Sequence, residues 1–100
     1  MGQESLLEWF AAEAVRLDAD EIEFEYRDGH EEITAMKNGF GFGIGRIPSS
    51  TPEASALRDE LRAIKRRKRA IVVDNRKVEL RATAFDSFGE TAFRVKLTRV

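Results

Sequence analysis

The amino-acid sequence predicts an α+β domain: one mostly antiparallel sheet with two helices packed on one of its faces, in the order α-β-β-β-α-β-β-β. Three observations predict it. From Glu21 to Arg27 the chain alternates strictly, with Ile22, Phe24 and Tyr26 on one side and glutamates on the other, the period of a half-buried strand. Asp28-Gly29 and Asn38-Gly39 then supply two tight turns, which favours antiparallel neighbours over parallel ones. Two stretches, one before these strands and one after, instead place apolar residues every three or four positions, as a one-sided helix does.

The first helix is expected over about Leu6 to Leu17. Ser5-Leu6-Leu7-Glu8 has the form of a capping box, and Leu6, Leu7, Phe10, Ala14 and Leu17 form its apolar face, with Trp9 at the edge of that face. After strand one and the Asp28-Gly29 turn, a second strand passes through Ile33 to Met36 and a third runs from about Phe40 to Ile47. Thr51 then caps a second helix with Pro52 in its first turn, where a missing amide costs nothing. Ala54, Leu57, Leu61 and Ile64 give that helix a narrow stripe, and it extends to about Arg67 or Lys68. Three further strands follow, over about 70–74, 77–85 and 91–99, joined at Asp74-Asn75 and at Ser87-Phe88-Gly89.

One hundred residues with 42% hydrophobic content make a single domain, 1–100, large enough for one core but not for a deep active-site cleft besides. The absence of cysteine removes disulfide and thiolate chemistry and fits a cytoplasmic protein. No leader is evident at the N-terminus and no apolar run is long enough to cross a bilayer, so no membrane association is expected. The charge is polarised along the chain: residues 1–50 carry four Lys/Arg against eleven Asp/Glu, and residues 51–100 carry thirteen against seven. Pairing between strands of the two halves is expected to cancel this in space; if it does not, one face steers partners.

Few residues offer chemistry. Gly39, Gly41, Gly43 and Gly45 lack the spacing of either common phosphate loop; with a period of two they bare one face of a strand, against which something packs. The basic run Lys65, Arg66, Arg67, Lys68 and Arg69 suits the end of a helix dipole, or else a phosphate or acidic partner. His30 beside Glu31 and Glu32 is turn chemistry; one histidine without cysteine makes no typical structural zinc site, and neighbouring carboxylates on a strand face opposite ways. No metal, no cofactor, no nucleophile–base pair and hence no catalytic residue is expected. Glu21, Glu23 and Glu25 are expected to pair across the sheet with Arg81, Arg94 or Lys96.

Three segments carry a family resemblance. Val78-Glu79-Leu80-Arg81 leads through a loop to Gly89-Glu90; Ala19-Asp20-Glu21-Ile22-Glu23-Phe24-Glu25 forms a strand after a helix; and Ile33 to Gly39 forms the next, ending in Asn38-Gly39. In order and spacing these segments resemble the N-terminal domain of the type II secretion and type IV pilus traffic ATPases, over about Ser5 to Leu97. The resemblance implies a PAS-like α+β fold and a bacterial, non-enzymatic domain that docks to a partner protein or a neighbouring subunit. It also implies that Arg81, and less directly Arg94, reaches a nucleotide held by a partner. Glu23 stands where the family has histidine, the segment after the second helix is shortened to the basic run, and no nucleotide-binding motif is present. A small nucleic-acid or nucleotide-binding module using residues 65–69 and Arg81 is the alternative; an arginine fork suits phosphate, but Arg81 equally suits a cross-strand glutamate.

Overall fold

A computed structural model describes residues 5–100; the reading of residues 1–4 as free of a leader lies outside the described residues. The elements are α1 (Leu6–Arg16), β1 (Glu21–Arg27), β2 (His30–Lys37), β3 (Phe40–Pro48), α2 (Pro52–Arg66), β4 (Arg69–Val73), β5 (Arg76–Ser87) and β6 (Glu90–Arg99). This is the predicted α+β order, and all six strands join one antiparallel sheet in the spatial order β3-β2-β1-β6-β5-β4. Both helices pack on one face of it. Among the described residues no helix is long and apolar enough to cross a membrane.

Local chemistry explains the element boundaries. Ser5 caps α1 by accepting a hydrogen bond from the Glu8 amide at 3.1 Å, but the reciprocal half of the capping box is absent because the Glu8 carboxylate turns to Arg69 instead. Leu17 stands outside the predicted apolar face: it is the exposed C-cap residue, and Ala11 occupies the buried position. Thr51 caps α2 by accepting from the Ala54 amide. All four hairpin turns use two residues with positive φ, namely Asp28-Gly29, Asn38-Gly39, Asp74-Asn75 and Phe88-Gly89.

Phe88 is the exception among these turn residues, a bulky side chain at φ 52° and almost wholly exposed. Nothing packs on it to offset the left-handed backbone. Phe88→Asn is therefore expected to raise stability by about 1 kcal/mol, seen as a higher urea midpoint. An unchanged or lower midpoint contradicts the strain.

The core lies between the sheet and the helices. Ile22, Phe24, Ile33, Ala35, Val78, Leu80, Ala82, Phe93, Val95 and Leu97 meet Leu7, Phe10, Ala11 and Ala14 of α1 and Leu57, Leu61 and Ile64 of α2. Each fully buried leucine or isoleucine contributes about 1.5–3 kcal/mol relative to exposure. The opposite face carries the charges. There Arg94 bonds Glu23 at 2.9 Å, approaches Glu21 at 3.8 Å and lies 4.9 Å over the Phe85 ring. Glu32 sits between Arg27 and Arg46, and Ser87 donates to Glu25.

Two expectations are corrected here. The glycines of β3 do not share one face, because a β-bulge opposite Ile33/Thr34 shifts the phase of the strand. A Cβ on Gly41 would lie 2.9 Å from the Met36 sulfur on the charged face, whereas one on Gly45 would lie 2.4 Å from the Phe10 ring in the core. Strand pairing cancels the polarity of the sequence only in part. The acidic half supplies β3, β2 and β1 and the basic half supplies β6, β5 and β4, so within the sheet the two meet only along the β1–β6 seam, where Glu21 faces Lys96 and Glu23 faces Arg94. Further pairs between the halves, such as Glu8 with Arg69 and Glu31 with Arg58, are made by the helices.

α2 explains how the edges are held. It leaves the end of β3 and enters β4, the two outermost strands, and its 15 residues span about 22 Å, close to the about 24 Å of five strand spacings. α1 touches both edges as well: Phe10 packs against Gly45 of β3, while Glu8 and Arg16 pair with Arg69 and Asp74 at β4. At the other end of α1, Lys37 hydrogen-bonds Asp18 and, with a smaller contribution from Arg99, holds its carboxyl below the ordinary carboxylate range. A carboxyl lowered on folding stabilises the protein above its unfolded pKa, and that support disappears as the pH falls through the carboxylate range. Asp18→Asn should therefore shallow the loss of stability on acidification, by a small amount because the group is exposed; an acid limb identical to the parent's contradicts the linkage.

Candidate docking surface

Because α1 lies between the two sheet edges, a groove opens on each side of it. The groove toward β3 is apolar, about 560 Å³ in volume, and is lined by Leu6, Trp9 and Phe10 of α1, Ile47 and Pro48 of β3, and Thr51 and Glu53 at the start of α2. Its corner is braced by Glu31, which is buried beneath α2, accepts from Ser49, and pairs with Arg58 at 3.1 Å. The groove toward β4 is larger, about 640 Å³, and differs in chemistry. Its one wall is the consecutive run Ala70, Ile71, Val72 and Val73, and its other is Ser5, Glu8, Trp9, Ala12 and Arg16. β4 pairs only with β5, so its outer backbone edge faces this slot unpaired by any strand. An edge strand beside a helix accepts an extended segment through main-chain hydrogen bonds, with small side-chain pockets setting the preference.

Trp9 lines both grooves and is about half exposed. Its position at the rim of the α1 stripe was visible in the sequence, whereas the convergence of β3 and β4 on α1 was not. Leu6, Ala12, Ile47 and the backbone of 70–73 carried no signal of a site for that reason.

The residues singled out in the sequence fall elsewhere. Lys65 and Arg66 end α2, Arg67 caps it, and all three are exposed and free of ion pairs among the described residues. Lys68 approaches Glu79 at 3.5 Å, and Arg69 is held by Glu8 at 3.2 Å and by Glu60 at 2.8 Å. The run thus divides into a solvated helix end and a structural clamp. Arg94 takes up the predicted pairing with Glu21 and Glu23. Arg81 does not: it is exposed on the charged face and makes no ion pair among the described residues. Lys96 stands directly opposite it in the β5–β6 register, a like-charge pair that strand pairing disfavours. Glu31 and Glu32 point to opposite faces, as expected of strand neighbours, and no group of three metal-ligating side chains occurs among the described residues.

Compared with known proteins, the chain matches no protein-family model and no curated protein.

Proposed function

We propose that this chain is a non-enzymatic docking domain that receives an extended segment of a partner protein along β4, in the slot between β4 and α1. The observation that carries the reading is the unpaired edge of Ala70–Val73 forming one wall of a groove whose other wall is a helix. The resemblance to the PAS-like N-terminal domain of secretion and pilus ATPases supplies the setting: a cytoplasmic, bacterial module that docks to a component of a secretion or pilus system. As the sole tryptophan and a wall of the slot, Trp9 reports occupancy directly. Titration with eight-residue extended peptides of alternating apolar and polar residues should shift Trp9 emission and slow amide exchange at 70–73. Ala12→Phe, which fills the slot from the helix side, should weaken binding by about tenfold, or 1.4 kcal/mol. Emission shifts without protection at 70–73 would place the peptide elsewhere and remove the reading.

Arg81 favours a second reading, phosphate binding on the charged face. Its lack of a carboxylate partner and its apposition to Lys96 are what an anion would relieve. Binding of a single-stranded oligonucleotide at low salt that is lost in Arg81→Ala supports it, and absence of binding at low salt removes it.

A further inference from the structure

Resting on the phosphate reading of Arg81, we infer that the uncovered face of β5 and β6 binds a single strand of nucleic acid, which runs along these strands with its phosphates on Lys77, Arg81 and Lys96 and a base on Phe88. The cations are set by the strand register. Lys96 stands directly opposite Arg81, and Lys68, just before β4, reaches the same face on the other side of β5, where it meets Glu79 at 3.5 Å. Glu21 flanks Lys96 on β1, but its carboxylate lies 3.8 Å from Arg94. Lys77, Arg81 and Lys96 are thus exposed and make no ion pair among the described residues. Like charges held face to face by strand pairing repel one another, and a bound polyanion relieves that repulsion.

The shape of this patch selects the ligand. Both helices lie on the other face of the sheet, so a lone phosphate would be held from one side only, whereas a polymer makes several such contacts at once. Width selects a single strand. From β6 to β4 is two strand spacings, about 10 Å, and beyond β6 lie Glu23, Glu25 and Glu32 of the acidic half. A duplex, whose major groove alone is about 12 Å wide, would carry its second backbone over those carboxylates. Phe88 separates nucleic acid from other polyanions. It ends the same hairpin about 23 Å along β5 from Arg81, beyond the Phe85 ring that Arg94 covers. At φ 52° and 98% exposed it is a strained aromatic with no partner in the fold, and a base stacked on it uses the surface that the chain leaves open.

Fluorescence anisotropy of a labelled oligothymidine of about 12 nucleotides tests the arrangement. With three phosphates neutralised, affinity should fall about 18-fold between about 50 and about 200 mM salt. Arg81→Gln should weaken binding and reduce that loss to about sevenfold, because one phosphate contact is gone. Phe88→Ala should weaken binding about tenfold with the salt dependence unchanged, since stacking releases no counterion. Thermal melts check that each variant keeps the fold. Salt-dependent binding that Phe88→Ala leaves untouched would reduce the face to a general polyanion patch and overturn the inference. Equal competition by a duplex of the same length or by inorganic tripolyphosphate also overturns it, and leaves the phosphate reading of Arg81 standing. Failure of both oligothymidine and tripolyphosphate to bind at low salt removes the two together.

Discussion

Phe10→Ala is expected to cost about 3–5 kcal/mol. The ring is buried, meets Phe24 edge-on with centroids 6.4 Å apart, and closes over Gly45, so truncation empties the contact between α1, β1 and β3 together. Gly45→Ala should cost about 1–3 kcal/mol for the converse reason: its new Cβ would sit 2.4 Å from Phe10 Cε1, and a buried ring has little room to withdraw. The two effects must be coupled. In the double variant the Cβ enters space that the ring has vacated, so the combined loss should fall short of the sum by about 1 kcal/mol or more. Urea unfolding of the four proteins measures this, and strict additivity would show that Gly45 is glycine for a reason other than Phe10.

Leu61→Ala is expected to cost about 2–5 kcal/mol. α2 presents only Ala54, Leu57, Leu61 and Ile64 to the core, and its other positions are mostly polar, including Arg58, Asp59, Glu60 and Arg62 within two turns. A 15-residue helix of this composition is marginal alone, so its stability comes from that stripe. Leu61 is one of its three large anchors and is completely buried. Because α2 bridges the two sheet edges, its loosening should be felt at both. The midpoint of thermal unfolding should fall by at least about 10 °C, given about 4–8 °C per kcal/mol for a domain of this size. A shift of only a few degrees would mean that α2 repacks onto the sheet without its central anchor.

The elements of the fold were legible because their signals are local. Glu21–Arg27 writes its strand period in seven residues, and Asp28-Gly29 and Asn38-Gly39 declare their turns in two each. The glycine series of β3 misled because alternation holds only until a bulge, and nothing in Gly43-Ile44-Gly45 marks where the extra residue falls. The neighbouring carboxylates Glu31 and Glu32 were separated correctly by strand geometry, yet the burial of Glu31 depends on Arg58, 27 residues away on another element. The cancellation of charge stayed partial because the three hairpin-linked strands of each half remain together and the halves share one seam, and strand periodicity does not encode whether the two sets interleave. The grooves were invisible for the same reason, since both exist only because the two outermost strands flank one helix.

The β1–β6 seam also divides the molecule into two contiguous modules, α1-β1-β2-β3 and α2-β4-β5-β6, connected through the short corner at Ser49, Ser50 and Thr51. Within each module the strands follow one another through hairpins, whereas pairing Phe24 with Phe93 closes a loop of about 70 residues at an entropic cost of about 4 kcal/mol. The chain is therefore suited to fragment complementation. Severed at that corner, it yields one acidic and one basic piece, each too short of core to stand alone, whose opposite charges would draw them back together across the seam.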